Sequence, residues 1–235
     1  MARHGKRYRA LAEKRDREAA YPIAEAIDRL KQTAGAKFDE TVDIAFRLGV
    51  DPRQSDQRVR GTVNLPHGTG KTLRVGVFAR GEAATLAQEA GADEVGAEDL
   101  VQKIEAGWKD FDILVASRDM MSIVGRLGKR LGPKMPNPKA GTVTDDVARA
   151  VRDLKGGRAE FRMDKAGNIH LTIGKVSYPA EHLVENFAAL VAALVKARPA
   201  AVKGQFIRRI HMSATMGPSV GVDVGAAEAI AEQAA

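Results

Sequence analysis

Apolar and polar residues alternate with two different periods along this chain, and the periods divide it into three segments. In the first, Ile23, Ala26, Ile27 and Leu30 fall at i, i+3, i+4 and i+7, one face of a helix, with Pro22 suited to its first turn. Val42, Ile44, Phe46 and Leu48 then alternate with Asp43, Ala45 and Arg47, which predicts a half-buried strand. Asp51-Pro52 ends it, and Val59 to Val63 is expected as a return strand. Leu65-Pro66-His67-Gly68-Thr69-Gly70 is a run of breakers and marks a boundary.

The middle segment is built differently. Short apolar runs at Leu73–Ala79, Asp93–Gly96 and Phe111–Ala116 read as strands. Helical stretches at Glu82–Ala90, Ala97–Ala106 and Asp119–Leu127 alternate with them, and Thr144-Asp145-Asp146 can cap a helix running to Leu154. Strand–helix alternation implies a parallel sheet in a βαβ arrangement. After Gly157 the antiparallel pattern returns. Ala159–Met163 and Asn168–Ile173 flank Asp164-Lys165-Ala166-Gly167, a hairpin signal. Pro179–Lys196 is a helix with Leu183, Phe187, Leu190, Val191 and Leu194 on one face. Phe206–Met212 and Val220–Val224 read as last strands around Gly217-Pro218, and the Ala-rich, acidic tail from Gly225 is expected to fray.

The outer segments share one character and the middle has another, which fits a domain inserted into a domain. The fold class expected is therefore α/β and α+β. Residues 1–67 and 159–235 are expected to build a discontinuous sheet-with-helices domain, and residues 68–158 an inserted three-layer, Rossmann-like α/β domain. Three tandem units are the less favoured alternative, since each outer unit would have a thin core. His67, Gly68, Gly70 and Gly157 are the expected hinge.

Composition narrows the function. Thirty-seven Lys and Arg against thirty Asp and Glu give +7, which favours a polyanionic partner, nucleic acid before a membrane surface. With no cysteine, disulfide frameworks, cysteine zinc sites, iron–sulfur clusters and thiol nucleophiles are excluded. The basic N-terminus is followed by no apolar run and contains Glu13, Asp16 and Glu18, unlike a targeting peptide. The longest apolar run, Phe187–Val195, is about half a membrane span. A cytoplasmic protein without a membrane partner is expected.

Two motifs resemble enzyme signatures and fail on context. Gly70-Lys71-Thr72 ends like a phosphate-binding loop, but Leu65 stands where that loop needs its first glycine, and a strand rather than a helix follows. Gly217-Pro218-Ser219-Val220-Gly221 has the pattern of a nucleophile elbow, yet no histidine follows Ser219 to complete a triad. The five histidines offer no helical metal pair. The expectation is a non-enzyme with no cofactor, no metal and no small-molecule substrate.

Other stretches suit RNA. Arg126–Lys139, with three prolines, two glycines and five cations, is expected to be an irregular, exposed basic loop that tracks phosphates. Gly125-Arg126-Leu127-Gly128 also fits a G-x-x-G backbone-approach loop, a weak signal. Aromatics are 5% of the chain, which argues against stacking along a single strand and for structured RNA read by shape.

Several blocks together closely resemble the bacterial L-one family of large-subunit ribosomal proteins. They are Met1–Arg9 with His4-Gly5-Lys6-Arg7-Tyr8, Ala36-Lys37-Phe38-Asp39-Glu40-Thr41-Val42, Asp51-Pro52-Arg53 to Gln57, Val59-Arg60-Gly61-Thr62-Val63 and Leu65-Pro66-His67-Gly68. Met135-Pro136-Asn137-Pro138-Lys139-Ala140-Gly141-Thr142-Val143 and Thr215-Met216-Gly217-Pro218-Ser219 complete them, in family order over nearly the whole chain. The resemblance implies a protein of the ribosome's mobile stalk that binds ribosomal RNA there, near the tRNA exit site, and assists release of deacylated tRNA. It also implies a repressor that binds a similar fold in its own-operon mRNA, and a monomer off the ribosome.

By residue match, the resemblance places the RNA site at Lys37, Phe38 and Thr41 with Ser213, Thr215, Met216 and Gly217, and less firmly at Arg53, Lys165 and His170. Lys37 and Lys165 can neutralise phosphates, Ser213 and Thr215 can donate to ribose hydroxyls, and Phe38 and Met216 offer apolar contact to sugar or base. Lys134 and Lys139 are expected accessory contacts. Family members usually carry two further residues before Met-Pro-Asn-Pro, whereas here Lys134 joins Met135 directly, which shortens that loop.

Overall fold

The structure is a computed structural model that describes residues 5–13, 15–16 and 18–233. His4 of the N-terminal block, Arg3, Lys14 and Arg17 of the basic arm and the side chain of Lys139 lie outside the described residues. The first segment gives α1 (Lys6–Glu13), β1 (Ala20–Tyr21), α2 (Ile23–Thr33), β2 (Thr41–Leu48) and β3 (Arg60–Asn64). The middle gives β4 (Val75–Phe78), α3 (Glu82–Glu89), β5 (Glu94–Gly96), α4 (Glu98–Glu105), β6 (Ile113–Ala116), the single turns α5 (Met121–Val124) and α6 (Gly128–Leu131), and α7 (Val147–Lys155). The last gives β7 (Arg158–Arg162), β8 (Asn168–Lys175), α8 (Ala180–Lys196), β9 (Ile207–Ala214), β10 (Val220–Val222) and α9 (Val224–Gln233). The chain divides into two compact units, Met1–Gly70 with Ala159–Ala235, and Lys71–Arg158.

In the first unit a five-stranded sheet runs β1-β10-β9-β2-β8, with β2 antiparallel to both neighbours. The alternation in β2 decides which face is covered. Val42, Ile44, Phe46 and Leu48 are buried against Ile23, Ala26, Ile27 and Leu30 of α2 and Leu183, Phe187, Leu190, Val191 and Leu194 of α8. Each such side chain stabilises the fold by about 1.5–3 kcal/mol relative to exposure, which is what holds two distant chain segments in one sheet. Asp43 and Arg47 point the other way, into solvent.

β3 is not a return strand beside β2, and β7 and β8 do not form a hairpin: β3 pairs with β7 in a separate two-stranded sheet, and β8 pairs with β2. The Asp164 turn does form, its carboxylate accepting from Ala166 N at 2.8 Å and Asn168 N at 2.7 Å. β7 instead seats the Phe161 ring on Gly61, where any Cβ would lie 2.6 Å from the ring. As far as Gln233 the tail does not fray. It forms α9, packed on α8 with Ala227 and Ala231 buried in the core. Ending the chain after Asp223 should therefore lower the unfolding free energy by about 1.5 kcal/mol, roughly two buried methyl groups, in urea titration; a frayed tail would leave it unchanged.

The second unit has a parallel sheet in the order β5-β4-β6, extended by a parallel bridge between Ala116 and Val143. Alternate residues feed two cores. Val75, Val77 and Val115 pack with Ala87 of α3 and Val147, Ala150, Val151 and Leu154 of α7. Phe78, Leu114 and Ala116 pack with Leu100 and Ile104 of α4 and with Met120, Val124, Leu127 and Leu131. Asp146 caps α7 by accepting from Arg149 N at 3.0 Å. The run from Arg126 is not an irregular loop. Gly125–Leu127, α6 and Gly132–Lys134 are successive helical turns, and Leu127 and Leu131 are buried. Met120, Val124, Leu127 and Leu131 keep helical spacing across the glycines, so burial overrides the weak intrinsic helicity of this stretch. Likewise Asp119–Leu127 is not one helix but 3-10 turns on either side of α5. No helix among the described residues is long and apolar enough to cross a membrane.

Candidate nucleic-acid interface

The solvent-facing side of β9-β2-β8 is a register of polar rows. Asp43 lies between Ser213 and Thr172, Ala45 between His211 and His170, and Arg47 between Arg209 and Asn168. Thr172 Oγ1 donates to Asp43 Oδ1 at 2.7 Å, and Arg47 donates to Ala166 O at 2.5 Å and Asn168 Oδ1 at 3.2 Å. At the far end β2 begins opposite Lys175, whose ammonium donates to Thr41 Oγ1 at 3.0 Å. One face thus carries hydroxyls and an ammonium at one end, imidazoles in the middle and two guanidinium groups at the other. Burial first, then the neighbouring charges of Arg15 and Arg209, push His211 below the usual imidazole value of 6.5, so it is neutral at pH 7.

At the hydroxyl end two loops meet. The segment before β2 and the segment after β9 are tied by Thr215 N donating to Thr41 O at 3.1 Å and Thr41 N donating to Thr215 Oγ1 at 3.0 Å. The Thr215 hydroxyl in turn lies 3.3 Å from Thr41 O and donates to it. Glu40, only 2% exposed, accepts from Ala36 N at 2.8 Å and Gly35 N at 3.1 Å through Oε1 and from Met216 N at 2.8 Å through Oε2. Arg7 of α1 lies 3.6 Å from the same Oε1. Burial raises the Glu40 carboxyl, but the amide donors and Arg7 outweigh it and hold the group below its ordinary value of 4.5. It is ionised at neutral pH, and its contribution is withdrawn only as pH falls through that lowered value. With these loops fixed, Phe38 and Met216 stand 55% and 53% exposed. Large apolar side chains left in solvent beside an ordered backbone suit a partner's surface, not a core.

Of the residues expected from sequence, Lys37, Phe38, Thr41, Thr215, Met216 and Gly217 converge on these two loops, and Ser213 and His170 lie on the sheet face beside them. Gly217 has an ordinary backbone conformation, and a Cβ there would lie 3.4 Å from the Ala214 Cβ and 3.7 Å from Thr33 Oγ1. These are ordinary van der Waals distances, so neither backbone conformation nor packing within the chain requires glycine at this position. Thr215 spends its hydroxyl proton on Thr41 O, so it acts first as a staple between the loops. Lys165 and Arg53 are exposed on turns past the other end of β2, where Arg53 N donates to Asp51 Oδ1 at 3.0 Å. Lys134 belongs to the other unit. Its ammonium donates to Phe111 O at 2.6 Å and lies 4.9 Å from the centre of the Phe111 ring.

The expected hinge residues are unequal. His67 N donates to Asn186 Oδ1 at 3.0 Å, Asn186 Nδ2 donates to Gly68 O at 3.0 Å, and Tyr178 Oη donates to His67 O at 3.1 Å. The His67 ring stacks on His182 at 3.8 Å and meets Glu185 Oε2 at 2.5 Å. His67 and Gly68 are thus fastened to α8 and its approach, and the division between units falls later, after Gly70. Gly70 and Gly157 have φ of 73° and 99°, where glycine is the residue that fits without strain.

Sequence reasoning missed Glu40 and Asn186, together with Asp43, Arg47, Thr172, Lys175 and Arg209. Alternation in β2 singles out Asp43 and Arg47 as outward-facing. The others require the pairing register, which no local pattern supplies.

An open sheet face of hydroxyls, imidazoles and guanidinium groups, edged by two exposed apolar side chains, is chemically suited to a folded polyanion. A model of the Ribosomal protein L1p/L10e family matches residues 30–218, and the chain belongs to that family. It is a ribosomal protein that binds ribosomal RNA in the large subunit, and the family is one of structural RNA-binding proteins.

Proposed function

We propose that this protein binds the ribosomal RNA of the large subunit's mobile stalk, near the tRNA exit site, through the open face of the discontinuous unit. In this reading the discontinuous unit is the RNA-binding domain and residues 71–158 are an inserted domain joined to it near Gly70 and Gly157. The observation that carries the reading is the convergence of Phe38 and Thr41 with Thr215, Met216 and Gly217, from opposite ends of the chain, at one exposed corner of the sheet. The stalk position has two consequences for function: the protein assists release of deacylated tRNA, and it represses its own operon when an mRNA presents the same fold. Shape and backbone recognition through this corner does not distinguish a ribosomal from a messenger copy of one RNA fold.

The test uses transcribed stalk helices and the leader of the protein's own message. Both should bind, compete with each other, and lose affinity steeply with salt. A reporter behind that leader should fall when the protein is in excess. A leader that neither competes nor represses removes the regulatory role, and a stalk RNA bound no better than an unrelated duplex removes the stalk assignment.

A further inference from the structure

Glu40 has an exposure and a set of partners unlike any other acid at the interface. It is buried at 2%, and its two oxygens divide between the loops that form the corner: Oε1 takes Gly35 N and Ala36 N, and Oε2 takes Met216 N. Its main-chain carbonyl accepts from Val176 N at 2.9 Å, beyond the end of β8. Arg7 supplies a cation at 3.6 Å from α1. One residue thereby joins four stretches of chain, and the two that carry Phe38 and Met216 are 176 residues apart at the Glu40–Met216 bond. We propose that Glu40 is the positioning residue of the RNA interface: it touches no RNA itself and sets the spacing between the Lys37–Phe38 loop and the Thr215–Gly217 loop.

The claim rests on the interface reading above, and charge gives it a sign that can be tested. A carboxylate near bound RNA opposes a polyanion, so a Glu40 without a positioning role should, on Glu40→Gln, bind RNA more tightly. If it positions the loops, the same substitution weakens binding. A glutamine has one oxygen to accept with and presents an amide NH2 to amides that are themselves donors, so one loop loses its tether.

Affinity for transcribed stalk RNA is measured on folded protein, well below the melting transition, across a salt series. Glu40→Gln should bind at least tenfold more weakly with the wild-type salt slope, because no phosphate contact is removed. An acid that only stabilised the fold would, on this substitution, leave the affinity of folded protein unchanged or raise it. Equal or tighter binding by Glu40→Gln overturns the proposal. Should that variant not fold, Glu40→Asp carries the test: it keeps the charge beside Arg7 but is one methylene too short to hold both loops. A loss of threefold or more supports the role, and wild-type affinity overturns it. Wild-type protein that fails to bind this RNA above an unrelated duplex fails the interface reading itself, and the role of Glu40 with it.

Discussion

Phe38→Ala is expected to weaken binding of stalk RNA by roughly 10- to 100-fold, at a salt slope unchanged from wild type. The side chain is 55% exposed in the free protein, so removing it leaves no cavity and should move the folding free energy by no more than about 0.5 kcal/mol. What it loses is contact made only in the complex, and aromatic contact with a base or sugar is worth about 1–3 kcal/mol by alanine substitution. Met216→Ala should behave in the same way for the same reason, with a loss near 2 kcal/mol for an apolar side chain buried on binding. Lys37→Ala supplies the contrast: a modest loss of affinity and a salt slope reduced by about one counterion. Filter binding or fluorescence anisotropy at several salt concentrations, with thermal unfolding alongside, separates these. If Phe38→Ala destabilises the fold by several kcal/mol and leaves affinity intact, Phe38 is a packing residue and the corner is misread.

The second large effect is on stability. Asn186 is fully buried on α8 and makes three hydrogen bonds, accepting from His67 N and donating to Gly68 O and to Ile173 O at 2.8 Å. Asn186→Leu preserves most of the volume and takes the partner from one amide and two carbonyls, the Ile173 carbonyl in the core and the His67 and Gly68 groups at part-buried positions. At about 1–3 kcal/mol for each buried group left unsatisfied, partly relieved by relaxation, a loss of roughly 3 kcal/mol is expected in urea or thermal unfolding. The same change releases the stretch that leads into the second unit. Limited proteolysis should then cut near His67–Lys71 faster than in wild type, out of proportion to global unfolding. A leucine variant of wild-type stability and wild-type cleavage would show that this segment is held by something other than Asn186.

How far the sequence could be read depended on the range of the forces involved. Elements with a strong period were legible: α2, β2, α8 and the strand–helix alternation of the middle segment all lie close to where their apolar spacing puts them. The misreadings share a cause. β3 and β7 were assigned to their neighbours in sequence, because a turn signal says that the chain reverses and not which strand it then meets. The glycines and prolines after Arg126 predict a loop, yet Leu127 and Leu131 are buried among residues of α4 and β6. Composition predicts a frayed tail, and the tail is helical through Gln233 because α8 offers it a surface.

The candidate site divides along the same line. Phe38, Thr41, Thr215, Met216 and Gly217 could be named from short blocks of sequence, and the alternation in β2 already sent Asp43 and Arg47 to the solvent face. Local order alone settles the facing of Asp43 and Arg47, because strand periods are fixed by backbone geometry within a few residues, whereas the five loop residues are named by the resemblance of their blocks to the family. That Glu40 spans two loops 176 residues apart, that Thr215 gives its proton to Thr41, and that Asn186 holds His67 and Gly68, was decided only by the tertiary structure. Each depends on strand register and helix docking, and these follow from burying Phe46, Phe187 and their neighbours in one core rather than from any pattern near the residues that use it.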